Sequence, residues 1–318
     1  MYPEWILGAG FFSFGVIFGS FLNVCIYRLP RGLSVVSPRS ACPECHVPIA
    51  GFDNIPVLSW LILGGRCRHC HTRITPRYAV VELTCGLLFL LSFLRTGLSV
   101  EAVKGCVLCF LFLGLTFTDA ETHLLPDAMT LPGLGIALLF SPFSLVPGPA
   151  YQLFPIHFHN ASSVLQSSVL QVDIQLGLRS LANSVMGAAI GSGLLYAVGW
   201  IYFKLRNVEG LGFGDVKLMA MAGAFLGPVL TLFVLCIASL LGGAFGLFVL
   251  LTVFWKRFAR YRVRPAAQAA SRAWQAAQIA MRGVEIPFGV FLSITSIVTW
   301  FYGPQMIGCY LGLFQIRG

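Results

Sequence analysis

Long apolar runs, separated by short polar and basic segments, set the pattern of this chain. Eight of these runs approach the roughly 20 residues that a helix needs to cross a bilayer, so we predict eight transmembrane helices. Their approximate bounds are Ile6–Ile26, Ala79–Leu94, Glu101–Thr118, Met129–Leu145, Leu181–Phe203, Leu218–Ala238, Leu240–Trp255 and Ile286–Phe301. The apolar tail Met306–Phe314 is too short to span alone and is expected to extend or cap the eighth helix. The predicted fold class is an all-α polytopic membrane protein.

Composition agrees with this pattern. Of the 318 residues, 57% are apolar and only 10% are charged, whereas a soluble domain usually carries about 25% charged residues. The first apolar run has no basic segment before it and no small-residue cleavage site after it. It is therefore expected to be a retained helix rather than a cleaved signal peptide.

The basic residues predict the topology. Seventeen of the 21 lysines and arginines lie in three segments, which follow the first, fifth and seventh predicted spans. Eight spans place all three segments on one side, and basic loops face the cytoplasm. Both chain ends are then expected to face outward across a bacterial inner membrane. Topology also explains the net charge of +9, so we expect lipid and not nucleic acid as a partner.

Two pairs of cysteines lie in the first cytoplasmic loop. Their spacing, C-x2-C-x21-C-x2-C, is close to that of zinc ribbons, and four thiolates are what a tetrahedral structural zinc requires. The expected zinc ligands are Cys42, Cys45, Cys67 and Cys70. Disulfides are disfavoured in the reducing cytoplasm, although a redox dithiol stays open as an alternative. Three flanking histidines are expected to be solvated neighbours: His46, His69 and His71.

Two carboxylates mark the candidate active site. Asp119 closes the third predicted span and Asp215 opens the sixth, so the eight-span count places both at the cytoplasmic face. Ionisable groups at the membrane are costly and therefore point to function. Gly212 and Gly214 allow the backbone beside Asp215 to turn sharply and to approach another chain closely.

Plainer roles for the charged residues stay open at this point. Asp215 could cap the sixth helix, and Asp119 could be an ordinary interfacial charge. Asp127, which follows Pro126, is a better candidate for a helix cap. Lys217 is either a cation that lowers the pKa of an aspartate or a positive-inside charge.

The string Gly212-Phe-Gly-Asp215 resembles the G-x-G-D motif that presenilin-type enzymes share with prepilin peptidases. The wider string from Glu209 to Ala220 is similar to the prepilin peptidase form, and further similar stretches follow in the same order along nearly the whole chain. They include Gly19–Val24 with Arg28-Leu-Pro30, the cysteine knuckles, Asn54–Pro56, Leu63–Cys67, Arg77–Leu83, Leu124–Asp127 and Ile286–Gly289.

The resemblance implies an aspartic endopeptidase with Asp119 and Asp215 as its catalytic pair. It implies cleavage after a glycine that precedes the hydrophobic helix of a type 4 prepilin or pseudopilin. It also implies methylation of the new N-terminus with S-adenosylmethionine. The expected organisation is a first transmembrane helix over 1–27, a zinc-binding loop over 28–78 and a peptidase domain over 79–318. The chain departs from the family pattern at Ala79, at Thr118 and in two long segments.

Those two segments are expected to differ in position. The polar segment Ser141–Ser180 is expected to be external, whereas Lys256–Arg282 is either an interfacial amphipathic helix with Trp274 facing lipid or a helical linker.

Rival functions explain fewer of these sequence features. A proton-coupled transporter predicts acids at mid-membrane depth and two repeated halves, and we find no internal repeat. A zinc-ribbon docking protein leaves the glycine–aspartate loop unexplained, and a general presenilin-type protease leaves the zinc loop unexplained.

Overall fold

The computed structural model of the chain describes residues 3–143, 174–208, 210–260, 266–281 and 287–315. Within these ranges the chain is helical, and its only β-type pairings are two isolated bridges. The helices are α1 (Glu4–Arg28), α2 (Leu58–Ile62), α3 (Arg77–Thr96), α4 (Val100–Thr122), α5 (Asp127–Phe140), α6 (Ile174–Arg206), α7 (Phe213–Leu226), α8 (Pro228–Arg260), α9 (Ala266–Met281) and α10 (Phe288–Gln315). The all-α polytopic prediction is confirmed, and α10 incorporates the apolar tail.

Six of the described helices are long and apolar enough to cross a membrane: α1, α3, α4, α6, α8 and α10. The other two predicted spans correspond to α5 and α7, which have 14 residues each. At 1.5 Å per residue such a helix is about 21 Å long, which is shorter than the roughly 30 Å hydrocarbon core. The count of eight spans is therefore not confirmed.

The predicted boundary between the sixth and seventh spans is wrong. The break lies at Gly227, which ends α7 with φ +79°, and Pro228 begins α8. Glycine tolerates that backbone conformation and proline is favoured at the start of a helix. From there α8 continues for 33 residues, through the expected break between Ala238 and Leu240. Hydropathy misses this break because both flanks are equally apolar.

Glycines bring neighbouring helices into backbone contact. A Cβ added to Gly15 of α1 would lie 2.7 Å from the Cα of Gly86 in α3. Between α6 and α7, Gly187 and Gly223 face each other so closely that a Cβ on either would overlap the backbone of the other. Small residues are used in this way where membrane helices pack tightly. The consequence is that α7, although short, is held firmly against α6.

Buried apolar side chains fill the space between α4, α5 and α7. Phe112 of α4 meets Phe225 of α7 edge to face, with ring centroids 6.4 Å apart. The side chains of Leu111 and Met221 leave no room for a Cβ on Gly133 of α5. This core holds α4 and α7, which carry the two candidate catalytic aspartates.

The loop between α1 and α3 lies at the same end of the bundle as the last turn of α4. Arg77, the first residue of α3, forms an ion pair of 2.6 Å with Glu121 near the end of α4. The backbone N–H of Val57 in the loop donates to Oε2 of Glu82 at 2.6 Å. These contacts place the cysteine loop near Asp119. The proposed division at residues 27 and 78 stays a prediction.

The two long segments are described in part. Residues 144–173 of the first lie outside the described ranges, as do residues 261–265 and 282–286 around the second. The second segment contains α9, which packs against α8 with Ala273 and Ala277 buried. The ring of Trp274 is 44% exposed and lies 6.1 Å from that of Phe254. The helix is thus confirmed, and its membrane contact stays a prediction.

The glycine contact between α6 and α7 generates a stability prediction. Gly187→Ala should lower the melting temperature of the purified protein in detergent by several degrees, because overpacking typically costs about 1–3 kcal/mol. The matched control is Gly193→Ala on the same helix, where an added Cβ meets no atom within 4 Å. Equal melting temperatures for the two variants would contradict the close packing of α6 on α7.

Candidate active site

Asp119 lies in the last turn of α4 with 5% of its surface exposed. Its Oδ2 atom accepts a hydrogen bond of 2.9 Å from the backbone N–H of Val290, and the N–H of Gly289 also donates to this carboxylate. Both donors belong to the first turn of α10, whose N–H groups have no partner within the helix. Such a helix N-terminus stabilises negative charge. Asp119 is therefore a buried carboxylate that accepts hydrogen bonds from the backbone of a neighbouring helix.

Gly289 makes this contact sterically possible. A Cβ at this position would lie 2.9 Å from Oδ2 and 3.0 Å from Cγ of Asp119. Sequence reasoning did not assign Gly289 or Val290 to the site, although the stretch Ile286–Gly289 contributed to the family resemblance. The available signal was a glycine in the first turn of a helix, directly after Pro287 and Phe288.

Asp215 is the third residue of α7. The residue that caps this helix is Gly212, whose carbonyl accepts from the N–H of Asp215 at 3.1 Å. The alternative that Asp215 caps the helix is therefore wrong. The charges of Asp215 and Asp119 lie near enough to repel each other. The fold thus brings together the two aspartates that the sequence singled out, although 96 positions separate them.

The two glycines of the loop have different surroundings. A Cβ on Gly212 would meet only Oδ2 of Asp215, at 3.8 Å, and Gly212 is exposed. A Cβ on Gly214 would instead lie 3.1 Å from the Cβ of Leu125. One side of the Asp215 carboxylate is therefore open, and the backbone on the other side is covered. Glu209, at the start of the predicted loop string, lies outside the described residues.

Lys217 pairs with Asp127 and not with either candidate catalytic aspartate. Its Nζ atom lies 2.7 and 2.8 Å from the two carboxylate oxygens of Asp127. Asp127 is expected from the sequence to cap α5. The capping position is occupied by Pro126 instead, and Asp127 is the first residue of the helix. The pair joins the start of α5 to the first turns of α7, the helix that carries Asp215.

The four predicted cysteine ligands converge. Their sulfur atoms all lie within 4.8 Å of one another. The distance from Cys42 to Cys70 is 3.7 Å, and that from Cys45 to Cys67 is 4.0 Å. Tetrahedral zinc with Zn–S bonds of about 2.3 Å requires sulfurs about 3.8 Å apart. The donor set and its dimensions therefore fit a structural zinc ion.

The two cysteine knuckles, whose equal C-x2-C spacing is visible in the sequence, also repeat one backbone pattern. In the first, the N–H of Cys42 donates to Val47 and the N–H of His46 donates to Cys42. In the second, Cys67 donates to Thr72 and His71 donates to Cys67, with all four distances between 2.9 and 3.0 Å. Both histidines adopt a positive φ. Each knuckle therefore directs its two sulfurs to the same side.

Backbone donors favour the metal-binding form of one ligand. The N–H groups of Cys70 and His69 lower the pKa of the Cys67 thiol to about 6, and the thiolate is the form that binds zinc. The flanking His46, His69 and His71 are exposed and lie outside the group of converging ligands. Four sulfurs complete the tetrahedral set without them.

A cavity of about 440 Å³ lies beside the second knuckle. Trp60, Gly65, Arg66 and Arg73 are among its lining residues. In the described part of the chain neither arginine forms an ion pair. Two unpaired guanidinium groups suit an anionic group such as a carboxylate. This is a concave surface near the membrane end where Asp119 lies.

The chain is similar to proteins of known family. A family model described as the bacterial peptidase A24 N-terminal domain matches residues 13–96, and that of the type IV leader peptidase family matches residues 106–247. No solved structure matches the chain.

Several relatives carry the name prepilin leader peptidase/N-methyltransferase. The protein of Myxococcus xanthus is 38% identical over 76% of this chain and 62% of its own length. That of Klebsiella pneumoniae is 38% identical over 71% of this chain and 87% of its own length. That of Aeromonas salmonicida is 30% identical over 96% of this chain and 94% of its own length.

The convergence of the cysteines generates a metal prediction. Purified protein should contain about one zinc per chain, as a single four-ligand site predicts. Cys42→Ser combined with Cys67→Ser should remove the zinc and lower the yield of folded protein, because metal binding supplies folding free energy to such loops. The control is Cys236→Ser, at an exposed cysteine outside the cluster. Elemental analysis that finds no zinc in protein purified without chelator would rule the site out.

Proposed function

The chain belongs to the type IV leader peptidase family, and on this premise we propose that it carries out both reactions named for its relatives. It removes the leader of type 4 prepilins or pseudopilins by cutting after a glycine, and then methylates the new N-terminus. The observation that carries the proposal is the position of Asp119, which is held by the N-terminus of α10 within electrostatic range of Asp215.

The two aspartates have different roles in this proposal. The N–H groups of Gly289 and Val290 favour a negative charge on Asp119. Two neighbouring carboxylates cannot both ionise easily, so the shared proton resides on Asp215. Asp119 is then the general base and Asp215 the general acid.

Each proton has a defined path. Asp119 takes a proton from water, which attacks the scissile carbonyl carbon while Asp215 protonates the carbonyl oxygen. The resulting diol collapses, the peptide bond breaks, and the proton on Asp119 passes to the leaving amine. A hydroxyl proton of the diol returns to Asp215, which restores the starting state. No covalent enzyme intermediate forms.

The open side of Asp215 suits an extended peptide. Gly212 is exposed, and the space beside it contains only the Asp215 carboxylate within 4 Å of an added Cβ. A substrate backbone can therefore approach along the loop at Gly212. The leader stays in the cytoplasm, and the hydrophobic helix that follows the cut lies against the apolar spans within the bacterial inner membrane.

The methyl transfer uses S-adenosylmethionine, which supplies the methyl group to the new amino terminus. Arg66 and Arg73 carry no ion pair among the described residues, and their positive charges fit the carboxylate of this cofactor. Trp60 and Gly65 line the same cavity. In this proposal the zinc ion is structural, since it would fix the second knuckle, which borders the cavity, against the first.

The acid–base assignment generates the central mutational prediction. Asp119→Asn and Asp215→Asn should each reduce leader cleavage to background while the protein still accumulates in the membrane. Asparagine keeps the size of the side chain but cannot act as base or hold the shared proton. The measurement is the cleavage of a purified prepilin, followed by the mass of the product.

Nearby carboxylates provide the controls. Asp127→Asn and Glu121→Gln remove the acidic partners of Lys217 and Arg77, and both variants should retain substantial cleavage. Normal cleavage by Asp119→Asn together with no cleavage by Asp127→Asn would show that the pair is misassigned. Intact cleavage by both Asp119→Asn and Asp215→Asn would refute the mechanism.

A further inference from the structure

Leu125 occupies the gap between the two backbones that carry the active site. On one side, its Cβ, Cδ1 and Cγ atoms lie 3.1, 3.3 and 3.6 Å from a Cβ added to Gly214, the residue before Asp215. On the other side, its Cδ1 lies 3.2 Å from a Cβ added to Gly289, which contacts Asp119. The side chain of Leu125 is therefore a wall beside the carboxylate pair.

This wall is fixed at both ends. His123 ends α4 in a left-handed conformation, and its N–H donates to the Asp119 carbonyl at 3.0 Å. Two residues after Leu125, Asp127 forms its bidentate pair with Lys217 of α7. The segment between α4 and α5 is thus tied to the helices of both aspartates, which restrains the backbone on both sides of Leu125.

The space beside Gly212 is open. Only Oδ2 of Asp215 lies within 4 Å of a Cβ added to Gly212. A peptide that enters along Gly212 and places its scissile carbonyl between the aspartates can direct the residue before the cut toward Leu125. A residue without a Cβ fits this space, whereas each added methyl group would press on Leu125.

We infer that Leu125 sets the substrate's size limit at the residue before the scissile bond. The inference rests on the proposed function and extends it by naming the residue that selects glycine. Glycine is then selected because larger side chains are excluded, and not because glycine itself is attracted. Exclusion of competitors is a common route to specificity. Truncation of Leu125 should therefore relax the preference.

The test compares two prepilins that have glycine or alanine before the scissile bond. For the unsubstituted chain, kcat/KM should be much higher with glycine. Leu125→Ala should raise the alanine-to-glycine ratio of kcat/KM by at least about tenfold, which is the lower end for one methyl group in a fitted pocket. Leu124→Ala is the matched control, because this neighbouring side chain is 52% exposed and the ratio should not change.

The outcomes separate the inference from the proposed function. If the unsubstituted chain leaves the glycine prepilin uncut, the proposed function fails and the inference fails with it. If it cuts that prepilin but Leu125→Ala and Leu124→Ala give the same ratio, only the inference is overturned. If Leu125→Ala does not accumulate or cuts neither prepilin, Leu125→Val is tested in its place. An increased alanine-to-glycine ratio of kcat/KM is expected for Leu125→Val, and an unchanged ratio would overturn the inference.

Discussion

The hydrogen bonds from the first turn of α10 to Asp119 are the contact on which the candidate active site depends. A carboxylate with 5% exposure is costly unless it is hydrogen-bonded, and the N–H groups of Gly289 and Val290 meet that need. In the proposed mechanism this contact stabilises the charge on Asp119 and leaves the neighbouring Asp215 to hold the proton. It also explains why a glycine occupies position 289.

Close helix packing fixes the position of the second aspartate, Asp215, relative to Asp119. The short helix α7 carries Asp215 and is pressed against α6 by the facing glycines Gly187 and Gly223. The chain leaves the helical conformation at Gly227, and the long apolar helix α8 begins at the next residue. The cysteine loop contacts the same end of the bundle through Glu82. Peptidase and methyl-transfer chemistry are thereby proposed at one end of one helical bundle.

Features that follow from local composition were predictable, whereas contacts between distant residues were not. The apolar runs, the spacing of the four cysteines, Asp119 and Asp215 were all visible in the sequence. The break at Gly227 was missed because hydropathy does not change there. The Asp119–Val290 bond spans 171 positions and the Lys217–Asp127 pair spans 90. No local pattern indicates such pairings, which depend on how the helices pack.

The measurement that tests this account most directly is prepilin cleavage by Gly289→Ala, compared with Gly243→Ala. The added methyl group at position 289 displaces the Asp119 carboxylate without changing any ionisable residue, whereas a Cβ at Gly243 meets no atom within 4 Å. Misplacing a catalytic group by about 1 Å can cost about 100-fold in rate. We expect a loss of that order for Gly289→Ala and normal cleavage for Gly243→Ala. Equal cleavage by both variants would contradict the claim that the N-terminus of α10 positions the catalytic carboxylate.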